Sequence, residues 1–88
     1  MAQVQYAFII LAPGYEPSAQ RAILESPEFK SRIVGVSSQA AALTAVDGFV
    51  AEGVEIIELC GGFSPQDAGD IGRRAGQGVS VGLVAYGE

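Results

Sequence analysis

Val4 to Leu11 is an almost unbroken apolar run that includes Tyr6, Phe8, Ile9 and Ile10. A run this short, and this rich in aromatic and β-branched residues, reads as a strand. Apolar side chains at consecutive positions imply that both faces of the strand are covered, as in a parallel sheet. Three further short runs, at residues 33–37, 54–60 and 79–86, read as its partners.

The segments between these runs carry helix signals. Pro17 stands where a first helical position belongs, Ala19, Ala22 and Ile23 follow at helical spacing, and Pro27 stops the pattern. Ser37 or Ser38 can cap a second helix over residues 39–52, with Leu43, Val46 and Val50 as its stripe beside Ala42 and Phe49. Gly53 would be its left-handed terminator. Ser64 caps a third helix with Pro65 at its first position and Asp67 at its third. In that helix Ala68, Ile71 and Ala75 face inward, Gly69 and Gly72 permit close backbone approach, and Gly76 ends it. The expectation is one α/β domain of 88 residues, βαβαβαβ, with a four-stranded and mostly parallel sheet.

The two halves echo each other. Leu11-Ala12-Pro13-Gly14-Tyr15-Glu16-Pro17 aligns with Leu59-Cys60-Gly61-Gly62-Phe63-Ser64-Pro65 at an offset of 48 residues, sharing Gly-aromatic-x-Pro. A duplicated βαβ unit, residues 1–38 and 49–86, would explain this, although glycine and proline recur in such turns for local reasons. With strand order 2-1-3-4 the two loops meet where the chain reverses direction across the sheet, the position at which open α/β sheets bind ligands. The alternative order, 1-2-3-4, is half of a (β/α)8 barrel. Either arrangement leaves parallel strands uncovered on one side, which predicts a homo-oligomer, most simply a twofold dimer. The composition agrees: 49% hydrophobic against 17% charged, with a mean hydropathy of +0.32.

Several function classes are excluded. The chain has no histidine, which removes Ser-His-Asp and Cys-His relays and the common zinc sites. A single cysteine, Cys60, leaves no internal disulfide. Net charge is −5 and the basic residues form no cluster beyond Arg73-Arg74, so neither nucleic acid nor membrane is an expected partner. The N-terminal region has no basic segment ahead of its apolar run, and a cytoplasmic location follows as the default. No metal and no cofactor motif is present.

The candidate site lies at the C-terminal strand ends and comprises Pro13, Gly14, Tyr15, Glu58, Cys60, Gly61, Gly62, Phe63 and Ser64. Glu58 stands among Ile56, Ile57 and Leu59, so its carboxylate needs a partner, a proton or a function. As a catalytic candidate it is an acid/base; as a structural one it pairs with Arg32, Arg73 or Arg74. Cys60, the second catalytic candidate, would point to the same side two residues on, either as a nucleophile beside a helix start or as a small strand-end residue. Gly61 and Gly62 form an anion cradle or simply a tight turn, with Asp67 and Asp70 opposing phosphate. Tyr15, Phe63 and Tyr86 are wall or lid residues.

At Glu58-Leu59-Cys60-Gly61-Gly62-Phe63 the chain resembles a family of small bacterial proteins of unknown function. The resemblance extends to the strand ending in Leu11-Ala12-Pro13-Gly14 and to Val34-Gly35-Val36. It implies a compact α/β domain and supplies no catalytic residue. Three functions remain open: a small-molecule-binding module, a cofactor-independent enzyme using Glu58, or a structural or interaction subunit.

Overall fold

The computed structural model describes residues 2–87. Seven elements follow in order: β1 (Val4–Leu11), β2 (Arg21–Glu25), β3 (Phe29–Val36), α1 (Gln39–Ala51), β4 (Ile56–Leu59), α2 (Pro65–Ala75) and β5 (Ser80–Leu83). They build an α/β fold with one five-stranded mixed sheet of order β2-β3-β1-β4-β5. The four strands β3, β1, β4 and β5 are parallel to their neighbours and β2 runs antiparallel along the edge. The parallel strands therefore stand in the expected order 2-1-3-4, not in the half-barrel order 1-2-3-4.

The first expected helix is absent, and the order βαβαβαβ is corrected accordingly. Pro17 does open a helical turn, in which the Ala19 and Gln20 N–H groups both donate to the Glu16 carbonyl. The turn goes no further because the Gln20 carbonyl accepts the Gly35 N–H at 2.8 Å, which draws the chain onto the sheet edge. Ten residues are too few for a self-supporting helix, and pairing with an existing strand satisfies the same backbone groups. Pro27 lies in the β2–β3 hairpin, where Ser26 Oγ accepts from the Glu28 and Phe29 N–H groups. Phe29, expected in a connector, begins β3, and its ring centroid lies 5.6 Å from that of Tyr6.

The two helices that form keep their expected caps. Ser38 Oγ accepts the Ala41 N–H and Ser64 Oγ accepts the Asp67 N–H, at 3.1 and 3.0 Å. Gly53 and Gly76 follow the helices with φ of +86° and +89°, values that disfavour any side chain. The buried stripe of α1 is Ala42, Val46 and Phe49, while Val50 is exposed, so the apolar arc sits one step around from the expected one. In α2, Ile71 and Ala75 are buried; a Cβ at Gly72 would meet nothing within 4 Å, so close packing does not explain that glycine.

Both crossovers, β3-α1-β4 and β4-α2-β5, travel the same way across the sheet, and right-handedness then places both helices on one face. They pack on each other there and on β1, β3 and β5. Ala7, Ile9, Val34, Val36, Ile57 and Leu59 point into this layer and join Val46, Phe49, Phe63 and Ile71 in the core. Arg32 is also buried on this side. Its Nε donates to Glu52 Oε1 and its Nη2 to Gln5 Oε1, both at 2.7 Å, tying the C-terminal cap of α1 to the sheet. Among the described residues, no helix is long and apolar enough to cross a membrane.

Candidate functional site

With a strand in place of the first expected helix, no described helix covers the second face of the sheet. Strand alternation sends Val4, Tyr6, Phe8 and Ile10 of β1 to this face. By register, Ser31 and Ile33 of β3, Ala22 and Leu24 of β2, Ile56 and Glu58 of β4, and Gly82 of β5 join them. Leu24 is 62% exposed and Phe29 41%, and Glu58 is exposed as well, while Tyr6, Phe8, Ile10, Ile33 and Ile56 are half-buried by one another. Of the strand residues on this open face, Glu58 alone carries a charge.

Register explains the surroundings of Glu58. Phe8 lies directly opposite on β1 and Gly82 directly opposite on β5. A Cβ at Gly82 would lie 3.9 Å from Glu58 Cγ and Oε2, so the glycine leaves space beside the carboxylate. Tyr6, one step down β1 on the same face, donates its hydroxyl to Glu58 Oε1 at 2.5 Å. Burial first, and then the hydrogen bond to Glu58 and its negative charge, push the Tyr6 phenol up to about 12. At neutral pH Tyr6 is therefore a donor and not a base.

The expected arginine partners of Glu58 are engaged elsewhere. Arg32 lies on the helix side with Glu52, Arg74 pairs with Asp47 of α1, and Arg73 pairs with Asp70. The missed partner, Tyr6, carried one usable signal: it shares β-alternation parity with Phe8 and so occupies the same face.

The other candidate residues separate. Tyr15 crosses to the β3 side and its ring lies on Gly35, where any Cβ would overlap Tyr15 Cδ2. Beside it is a groove of about 230 Å³ on the open face, lined by Ile10, Tyr15, Gln20, Arg21, Ala22, Ile33 and Gly35. Pro13 and Gly14 form the turn leading to Tyr15, and Gly14 has φ +81°. Cys60 lies just beyond the end of β4. Its half-buried Sγ accepts the Leu11 N–H at 3.3 Å and packs against the core. Phe63 is a core residue and Ser64 is the α2 cap. Gly61 lies under the Tyr86 ring, and Gly62 sits against the Leu11 carbonyl. Of the nine candidates, only Tyr15 lines the groove; Gln20, Arg21 and Ala22 are invisible as site residues while their segment reads as helix, and Ile33 reads only as a buried strand residue.

A second groove, about 150 Å³, lies on the helix side between β2 and α1, lined by residues that include Pro17, Arg21, Phe49 and Glu52. Among the described residues, no group of three histidine, cysteine, aspartate or glutamate side chains is placed to hold a metal ion.

A family profile described as a family of unknown function, DUF6506, matches residues 4–88. The chain belongs to this family. The matched region takes in every element of this DUF6506 fold, the open face and Glu58 included. No curated protein and no solved structure matches the chain.

Proposed function

We propose that this DUF6506 chain is a cytoplasmic, self-associating small-molecule-binding protein that pairs through the open face of its sheet, its ligand held toward the C-terminal strand ends. The observation that carries this reading is the open face itself: a largely apolar sheet surface, indented beside Tyr15 and Arg21. Five strands about 4.8 Å apart and about 20 Å long present a surface near 24 by 20 Å. That is about 480 Å² before side-chain relief, below the roughly 800 Å² per partner of a standard interface, so pairing through this face alone should be modest and should yield to dilution. Parallel strands with one uncovered face are otherwise rare. A second copy suits this surface because it offers the same apolar character and a twofold axis closes the assembly.

Light scattering across a dilution series tests the pairing. The expected result is a dimer that Ile33→Glu dissociates while circular dichroism shows the fold intact. A wild-type monomer at every concentration, or a dimer indifferent to Ile33→Glu, overturns it. A second reading, a cofactor-independent enzyme, is favoured by the 2.5 Å Tyr6–Glu58 bond, which places a proton donor against a carboxylate. That reading requires Glu58→Gln to abolish turnover in a folded protein.

A further inference from the structure

The open face brings a carboxylate to a pairing surface with no cation beside it: Arg21, which lines the groove from the β2 edge, lies three strands away from Glu58. A twofold partner laid against this face adds a second Glu58, so pairing removes two carboxylates from water inside an apolar layer. The Tyr6 hydroxyl satisfies Glu58 Oε1, while Oε2 accepts no hydrogen bond from the described residues. One neutral hydrogen bond does not offset the desolvation of a carboxylate. What is missing is a positively charged donor.

The geometry points to an organic cation, a small amine with an apolar body, that seats on Glu58 and is taken up as two copies of the chain pair. This rests on the pairing proposed above. Three observations select the ligand class. Oε2 faces the space left by Gly82, where no side chain competes for it. Phe8 stands directly opposite Glu58 in the β1–β4 register and Tyr6 holds the carboxylate through its hydroxyl, so the neighbourhood is aromatic, and aromatic rings favour ammonium groups over anions. The net charge of −5 concentrates cations near the protein and disfavours carboxylate or phosphate ligands. Since the cation compensates a charge that pairing buries, its binding and self-association are linked, and each strengthens the other.

Benzylamine, benzyl alcohol and benzoate are the probes, with the dimer dissociation constant read by sedimentation for the wild type, Glu58→Gln and Arg21→Gln. Benzylamine is expected to tighten wild-type pairing about tenfold, within the range usual for coupled sites. The alcohol and the benzoate should not. Glu58→Gln, which removes the charge and keeps an acceptor for Tyr6, should pair more tightly than wild type in buffer and ignore the amine. A Glu58→Gln protein that still responds to benzylamine, or an equal response to benzyl alcohol, overturns the inference. So does loss of pairing in Arg21→Gln together with indifference to benzylamine, which would assign the counter-charge to Arg21 of the second copy. A wild-type dimer that ignores all three probes overturns the cation alone and leaves the pairing standing. Monomers for both wild type and Glu58→Gln overturn the pairing and the cation together.

Discussion

The Tyr6 hydroxyl reaches Glu58 across the β1–β4 seam at 2.5 Å, although the residue directly opposite Tyr6 is Ile56. The bond is thus a diagonal one, spanning one step of the ladder, and it depends on the parallel register of the two strands. It joins the Glu58 carboxylate to the aromatic floor of the open face.

The burial of Tyr6, with this bond in second place, makes the protein sensitive to alkali. The fold favours the protonated phenol, raised to about 12, so Tyr6 keeps its proton where an unfolded tyrosine, near 10, has lost it. The resulting contribution to stability is complete below about pH 10 and is lost as pH rises through about 12. Phenolate absorbance should show a component near 12 that vanishes in Tyr6→Phe. Glu58→Gln should lower that component only in part, because burial is the larger cause. A titration unchanged by Tyr6→Phe would refute the assignment.

At the acid end, the Arg74 guanidinium holds the Asp47 carboxyl below its ordinary value by donating Nε to Oδ1 and Nη2 to Oδ2, both at 2.8 Å. Here the stability is present above the unfolded carboxylate value and disappears as pH falls through the lowered folded one. The pair bridges α1 and α2 in solvent, so its effect is small and weakened by salt. Carboxylate chemical shifts followed against pH should place Asp47 low in the wild type and higher in Arg74→Gln. An Asp47 titration unmoved by Arg74→Gln would show that the bridge does not form in solution.

The two isoleucines at the start of β4 report on the two faces. Ile57 is fully buried under the helices, whereas Ile56 points to the open side. Ile57→Ala should cost about 2–5 kcal/mol in urea unfolding, the usual range for emptying a packed core position. Measured at protein concentrations low enough to leave single copies, Ile56→Ala should cost distinctly less, and it should weaken pairing at higher concentrations. Equal losses for the two variants in single copies would mean that the open face is not open.

Most of the helix-side architecture was legible from residue pattern alone. Ser38, Ser64, Pro65 and Gly53 act locally, within a turn of where they stand, and local chemistry is what a single sequence displays. The strand at Arg21–Glu25 was not legible for the converse reason. Ala19, Ala22 and Ile23 fit a helical stripe, and the competing backbone partner, β3, becomes available only once the hairpin at Ser26-Pro27-Glu28 closes. Tertiary pairing then overrides a short helical preference. Glu58 was conspicuous by its apolar neighbours, but Tyr6 lies 52 residues away in sequence, and their meeting is set by strand register. The site separated likewise: the Gly-aromatic turns look alike as letters, yet Tyr15 lies on Gly35 whereas Phe63 enters the core.

Two glycines separate a steric requirement from a helix preference. At Gly35 an added methyl would occupy the space of the Tyr15 ring. Gly35→Ala must therefore expel that ring and should cost about 1–3 kcal/mol as an overpacked site. Gly48, inside α1, has nothing within 4 Å of an added Cβ, and an alanine there should stabilise the helix by about 0.5–1 kcal/mol. The two effects have opposite signs for the same chemical change, which controls for the general effect of adding a methyl. Tyr15→Ala supplies the second corner of a double-mutant cycle with Gly35→Ala: once the ring is gone, the methyl has nothing to displace. The doubly substituted protein should lose clearly less than the two single losses added together. Strict additivity would place the Tyr15 ring away from Gly35 in solution, and the groove on the open face would lose the wall that shapes it.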